Sequence, residues 1–280
     1  MSLAPENRLR HNLTMDIKNL LPSRVRHDIR VRKLTVAAIT DITPLMRRIT
    51  LAGDQLEGFT SPGFDDHIKM FFPPEGEPFP ETRLGPDGLV FEGPRPPMRD
   101  YTPRRYDAEN RTLDIDFVLH GDGPAASWAA RVKVGDPALI AGPRGSMIVP
   151  DGFDWYLLAG DETALPAIGR RLEELRPGSR ALVVIEVASP AEEQTLTTAA
   201  DAQIQWVHRN GAPAGTTGIL AEALARLTLP EGRGFAYVAG EARLGREAKK
   251  LLLEERGLPP ELVKIAGYWA LGEADAHLPH

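Results

Sequence analysis

The chain has 280 residues, 42% hydrophobic and 26% charged, which is ordinary for globular protein and long enough for two domains with a core each. It has no cysteine, which excludes disulfides, iron–sulfur clusters and thiol nucleophiles, so redox chemistry would run on a bound organic cofactor or a metal site without thiolates. The formal charge is −6, but residues 1–48 carry ten Arg and Lys against four acids, so the bulk of the chain is strongly acidic and argues against a nucleic-acid partner.

Residues 1–29 read as a basic N-terminal extension. It lacks an apolar h-region and a small-residue cleavage site, so no signal peptide is expected. No run of about 18 apolar residues occurs, so no membrane span is expected either. A cytoplasmic monomer is the expectation. None of the seven histidines falls in a HExxH spacing, and no metal site is expected.

Residues 30–150 read as strands broken by Pro/Gly loops. The pattern predicts strands over 31–39 and 45–51, joined by a turn around Asp41 and Pro44, and a third over 67–72 that stops at Pro73-Pro74. Residues 73–97 read as a loop with one short strand near 89–91. Strict alternation from Thr112, with Leu113, Ile115, Phe117 and Leu119 on one face, predicts a half-buried strand. A helix over 124–132 and a strand over 138–141 follow. Many short strands with turn signals predict an antiparallel β-barrel.

Residues 151–280 change rhythm. Predicted strands at 155–159, 181–187, 204–208, 235–239 and 262–268 alternate with helical stretches over 163–175, 217–227 and 242–256. This predicts a parallel sheet covered by helices, with ligands outside the carboxyl ends of its strands, followed by a C-terminal tail. An antiparallel barrel followed by an α/β domain resembles the plan of the ferredoxin–NADP reductase superfamily.

Three segments carry chemistry. Arg99-Asp100-Tyr101-Thr102 resembles that superfamily's Arg-x-Tyr-Ser/Thr flavin motif. A guanidinium offers paired donors to a diphosphate, Tyr101 a flat face for a ring system, and Thr102 a hydroxyl for the flavin N5 region. His120-Gly121-Asp122-Gly123-Pro124-Ala125-Ala126-Ser127-Trp128 opens a helix whose free N–H groups favour an anion, with Pro124 suited to the first turn. His120 is placed to stack on the flavin or adenine. Gly142-Pro143-Arg144-Gly145 reads as a structural turn. Gly160-Asp161-Glu162-Thr163-Ala164-Leu165-Pro166 runs from a buried strand into a helix, with Thr163 as its cap and a second anion site; Gly240-Glu241-Ala242 repeats the plan. The GxGxxG fingerprint is absent.

Together with Asp66-His67-Ile68-Lys69 and Gly267-Tyr268-Trp269, these segments resemble the siderophore-interacting protein family over residues 30–277. The resemblance implies an NAD(P)H-dependent reductase that binds FAD, uses NADPH or NADH, and releases iron as Fe(II) from a ferric siderophore or other ferric chelate. It implies cofactor contacts at His67, Lys69, Arg99, Asp100, Tyr101, Thr102, Asp116, Val118, Leu119, His120, Gly123, Pro124, Ala125, Ala126, Ser127, Asp161, Thr163, Gly240, Glu241 and Trp269. His67 is open between flavin contact and a structural role. No side chain is needed as a nucleophile, so no catalytic residue is assigned. Lys69, Arg131, Arg246 and Lys264 are candidates to draw an anionic chelate. The sequence departs from the family at Ala270, which follows Trp269 where an arginine is usual. Ser189 and Arg209 are candidate readers of a 2′-phosphate, and NADH versus NADPH stays open. Two alternatives also stay open: a general flavin or ferredoxin-type reductase, and a flavin-bearing siderophore binder without turnover.

Overall fold

The computed structural model describes residues 20–85, 88–121 and 123–273. Residues 1–19 of the extension, Asp122 of the glycine turn and residues 274–280 of the tail lie outside the described residues.

The first half is antiparallel. Its strands are β1 (Ser23–Arg26), β2 (Val31–Thr43), β3 (Met46–Ala52), β4 (Ile68–Phe71), β5 (Thr82–Gly85), β6 (Gly88–Phe91), β7 (Met98–Tyr101), β8 (Arg105–Asp107) and β9 (Thr112–Val118). Helix α1 (Pro124–Arg131), β10 (Pro137–Ala141) and β11 (Gly145–Ile148) complete it. Seven strands form one sheet in the order β7-β4-β10-β2-β3-β9-β8. Although β7 and β9 stand near opposite ends of that order, the ring centroids of Tyr101 and Phe117 are 4.4 Å apart. The sheet therefore curls on itself as a barrel. The alternation read from Thr112 onward is what fills it: Leu113, Ile115 and Phe117 are fully buried against Val36, Ile49, Ile68 and Ile140. Trp128 of α1 stops one end of the barrel, 5.5 Å from Phe117 and 5.6 Å from Phe72.

Two features depart from the sequence expectation. The 73–97 loop holds a hairpin, β5 against β6, where one strand is predicted. Residues 23–26, read as extension, pair antiparallel with β11, with Arg26 opposite Gly145. All four β1 residues are exposed, so no apolar pattern announces the strand; only backbone hydrogen bonds to a distant segment make it.

The second half is β12 (Trp155–Asp161), α2 (Leu165–Glu174), β13 (Arg180–Val187), β14 (Asp201–His208), α3 (Ile219–Arg226), β15 (Gly234–Glu241), α4 (Ala242–Lys249) and β16 (Val263–Trp269). The five strands are parallel, in the order β14-β13-β12-β15-β16. Burial on both faces explains why β12 reads as a continuous apolar run. Trp155, Leu157 and Ala159 face a cluster with Leu220 and Leu224 of α3 and Leu244 and Ala248 of α4. Tyr156 and Leu158 face the other way, into a cluster with Ile168 and Leu172 of α2. Met46 and Phe64 from the barrel half join that second cluster, and Phe64 meets Tyr237 edge-on at 5.0 Å. The barrel thus packs on the α2 side of the parallel sheet. The third predicted helix is α-helical only through Lys249; residues Lys250–Glu255 continue it as a wider π-type turn.

Candidate active site

On the barrel, the β4–β7 register sets Ile68 opposite Tyr101, Lys69 opposite Asp100 and Met70 opposite Arg99. The period of two puts Arg99 and Tyr101 on the face of buried Ile68 and Met70, and Lys69 and Asp100 on the other. The Tyr101 ring lies between Phe117 and Phe72, and burial pushes its phenol above the ordinary range, so it stays neutral. Phe117 and Phe72 also hold Trp128, which ties the arginine motif to helix α1. That eight-residue helix starts at Gly123 with no side-chain cap, leaving first-turn N–H groups available to a ligand. A Cβ built on Gly123 would meet nothing within 4 Å, so the helix mouth is open. Half-buried Arg99 on one strand end and an uncapped, open helix start joined to it through packed aromatics fit the diphosphate and ring of FAD.

On the α/β half, the carboxyl ends of β12, β13 and β15 surround a crevice of about 340 Å³ lined by Asp161, Glu186, Gly215, Thr217, Glu241, Arg243 and Glu247, among others. Buried Asp161 organises it. Its Oδ1 accepts from the Thr163 N–H (2.9 Å) and hydroxyl (2.5 Å), and its Oδ2 from the Glu241 N–H (3.0 Å) and Trp269 Nε1 (2.8 Å). One carboxylate thereby joins the ends of three strands. Burial, with Glu162 next to it, nonetheless raises the Asp161 carboxyl above the ordinary range. Gly240 is required beside it: at φ 144°, a Cβ there would stand 2.6 Å from Asp161 Oδ2. The Glu241 carboxylate caps α4 through the Arg243 N–H (2.5 Å) and accepts from the Leu271 N–H (3.2 Å).

The two halves meet along a polar seam. Arg104 forks onto Glu173 of α2 at 2.9 and 2.5 Å. Arg170 reaches across to the Ser61 carbonyl (2.8 Å), the Ser61 hydroxyl (3.1 Å) and the Pro103 carbonyl (2.9 Å). Lys264 of β16 ion-pairs with buried Asp65. The Tyr268 phenol, near the end of β16, is 2.6 Å from the Tyr237 hydroxyl. The Glu192 carboxylate, beside a second cleft of about 250 Å³, accepts from the Thr43 hydroxyl (2.5 Å) and the Leu45 N–H (3.0 Å).

One sequence expectation needs correction, and several candidate residues have internal partners. Thr163 is not the helix cap: α2 is preceded by Ala164, and the Thr163 hydroxyl is turned back onto Asp161. Asp161 and Glu241 line the crevice while accepting from internal donors. Asp116 is gripped by Arg48 through two bonds of 2.7 and 2.8 Å, a cross-strand pair that needs no ligand to balance it. Lys69 is paired with Asp100 at 2.8 Å, and Lys264 with Asp65. Arg131 sits in the last turn of α1, about 12 Å along the axis from the open mouth. Arg246 lies exposed on α4, on the sheet face turned away from the barrel.

The remaining candidates fall where the motifs lead. His67, one residue before β4, and His120, after β9, are exposed; Leu119 packs against the barrel core and its N–H donates to the Leu45 carbonyl. Val118 lines the second cleft. Pro124, Ala125, Ala126 and Ser127 form the first turn of α1. Ala270 bridges to Glu273 just past the Trp269 knot. Asp65, Arg170, Tyr237 and Tyr268 were missed, because a polar side chain whose partners come only from the tertiary fold leaves no periodic trace; only Tyr268, beside Trp269, stood in a segment already singled out.

A barrel closed against the α2 face of a parallel sheet, with Val118 of β9 lining a cleft at the carboxyl edge, defines a ferredoxin–NADP reductase-like fold. Residues 35–147 match the model of the siderophore-interacting FAD-binding domain, and residues 153–272 that of the siderophore-interacting protein. An Escherichia coli K12 protein described as an NADPH-dependent ferric-chelate reductase is 38% identical over 254 residues, 89% of this chain and 96% of the relative. A ferric vibriobactin reductase from Vibrio cholerae is 31% identical over 81% of this chain and 84% of its own. A crystal structure of a siderophore utilization protein from T. fusca superposes with a TM-score of 0.86 at 40% identity, over 92% of this chain and 99% of that one. The chain belongs to the siderophore-interacting protein family.

Proposed function

We propose that the protein is a flavoprotein reductase that takes electrons from a reduced nicotinamide nucleotide and delivers them to a ferric siderophore or similar ferric chelate. The observation that carries this reading is that Val118, next to the Phe117 that packs on Tyr101, lines a cleft with Glu162 and Val187 at the carboxyl edge of the parallel sheet. A ring lodged beside Tyr101 and Thr102 would lie next to a nucleotide in the sheet-edge crevice.

Arg99 and the first-turn N–H groups of α1 would hold the FAD diphosphate, and Tyr101 and Thr102 would flank its ring. FAD, when bound, supplies the exchange between a two-electron hydride donor and a one-electron acceptor. The chain's own part is positioning. Arg104, Arg170 and Glu192 hold the two halves in register, and Asp161 fixes the crevice floor. Reduction weakens the hold of hard oxygen donors on the iron, which releases it as Fe(II).

Anaerobic titration of the flavin-loaded protein with NADH or NADPH, followed by ferric chelates, tests the reading. Bleaching of the flavin absorbance and its return on adding the chelate, with Fe(II) trapped by a ferrous indicator, is the expected result. Bleaching that ferredoxin or free flavin reverses but ferric chelates do not would favour a general reductase instead.

A further inference from the structure

The crevice at the carboxyl edge is acidic where an adenosine ribose would sit. In a strand–helix–strand unit, the residue ending the second strand meets that ribose: a carboxylate there accepts from the free 2′-hydroxyl, whereas a 2′-phosphate requires a nearby arginine. Here the unit is β12–α2–β13, and the residue next to the end of β13 is Glu186. Around the crevice stand Asp161, Glu186, Glu241 and Glu247. Its lining arginine, Arg243, has Nε 3.4 Å from Glu247.

The arginine best placed for a phosphate is Arg209, just past β14. It is unavailable. Nη1 and Nη2 fork onto Glu162 at 2.7 and 2.6 Å, and Nη1 also lies 3.3 Å from Glu186. Its side chain is 6% exposed, and Nε is buried without a partner. The planar fork is thus used up inward, with two carboxylates against one guanidinium. Ser189 offers no substitute charge, and its hydroxyl caps the turn through the Ala191 N–H.

We propose that this crevice selects NADH over NADPH, with Glu186 facing the adenosine ribose and Arg209 withheld from a 2′-phosphate by Glu162. The proposal rests on the reading above, that a reduced nicotinamide nucleotide binds at this edge. Burial already raises the Glu186 carboxyl above the ordinary range, with Asp161 and Glu162 adding to the effect. A site that resists its own negative charge is poorly suited to a dianion. The Escherichia coli relative is described as NADPH-dependent, so the choice of nucleotide would differ between two members of one family.

Two measurements on the flavin-loaded protein test this. Stopped-flow bleaching should give kcat/KM for NADH at least tenfold above NADPH, which corresponds to roughly 1.4 kcal/mol. Calorimetric titration should show 5′-AMP binding at least tenfold more tightly than 2′,5′-ADP. Glu162→Gln, checked for folding by its melting temperature, leaves Arg209 one carboxylate fewer and should move both ratios tenfold or more toward the phosphorylated nucleotide. Glu186→Gln should move them in the same direction and serves if Glu162→Gln does not fold. NADPH matching NADH, 2′,5′-ADP binding as tightly as 5′-AMP, or ratios unmoved by both substitutions would overturn the proposal. If neither nucleotide bleaches the flavin, the functional reading fails, while the two adenosine probes still decide the selectivity.

Discussion

Replacing Asp161 with alanine should unfasten the carboxyl edge of the parallel sheet. Four donors converge on this carboxylate, from Thr163 twice, from the Glu241 N–H and from Trp269 Nε1. The two Thr163 donors are half-buried and reach solvent after a small shift. Of the other two, the Glu241 N–H is buried and Trp269 is half-buried beside Gly215. Leaving a buried donor unsatisfied costs about 1–3 kcal/mol, and the half-buried indole adds a smaller share. Removing a desolvated carboxylate that repels Glu162 returns part of this, so the net loss should be about 1–3 kcal/mol. Equilibrium urea unfolding followed by far-UV circular dichroism measures it. The Trp269 contribution to native fluorescence should shift to the red as its indole loses a buried acceptor. A loss below about 0.5 kcal/mol with unchanged emission would refute the reasoning, because it would mean these donors find water or other partners without cost.

The protein should release FAD, and not FMN, on denaturation. Arg99→Ala should weaken flavin binding tenfold or more in equilibrium dialysis, and Arg99→Lys less, since a lysine acts as a point charge where the guanidinium bridges two oxygens. Gly240→Ala should cost at least about 2 kcal/mol in thermal unfolding, because its φ of 144° and a Cβ 2.6 Å from Asp161 Oδ2 oppose any side chain. Asp66 is buried and accepts from Ser146 (2.6 Å), Ser61 (3.0 Å) and the Gly63 N–H (3.0 Å), yet burial raises its carboxyl. A raised folded-state value means the native protein binds the proton more tightly, so the group's contribution to stability declines as pH rises from about 4 through that value. The destabilisation caused by Asp66→Asn should therefore be greatest near pH 4 and shrink toward pH 7; urea midpoints across that range would expose the opposite trend.

Much of the fold was legible because burial imposes a period. Leu113, Ile115 and Phe117 alternate because one face of β9 fills the barrel, and β12 is uniformly apolar because helices and barrel cover both of its faces. The Arg99–Thr102 and His120–Trp128 segments were legible for a different reason: an anion site needs a guanidinium, glycines and a helix start in a fixed local order. β1 was not legible, since its four residues pair through backbone alone with β11, 119 residues away at Arg26 and Gly145.

The pairing of charges was invisible for the same physical reason. Lys69 and Lys264 read in sequence as free cations, and only the register of β4 with β7 and the docking of β16 on the 61–66 loop show Asp100 and Asp65 beside them. Arg209 was one of two candidate readers of a 2′-phosphate, and only the sheet order shows Glu162 and Glu186 within its reach. Local sequence thus determined the barrel strand that reads Leu-x-Ile-x-Phe, the parallel core and the two glycine turns that lead into helices, all of which follow from periods and neighbours along the chain. Tertiary structure alone decided which charges remain unpaired, because an ion pair forms between side chains a few ångströms apart in space, and the chain can separate them by a hundred residues or more.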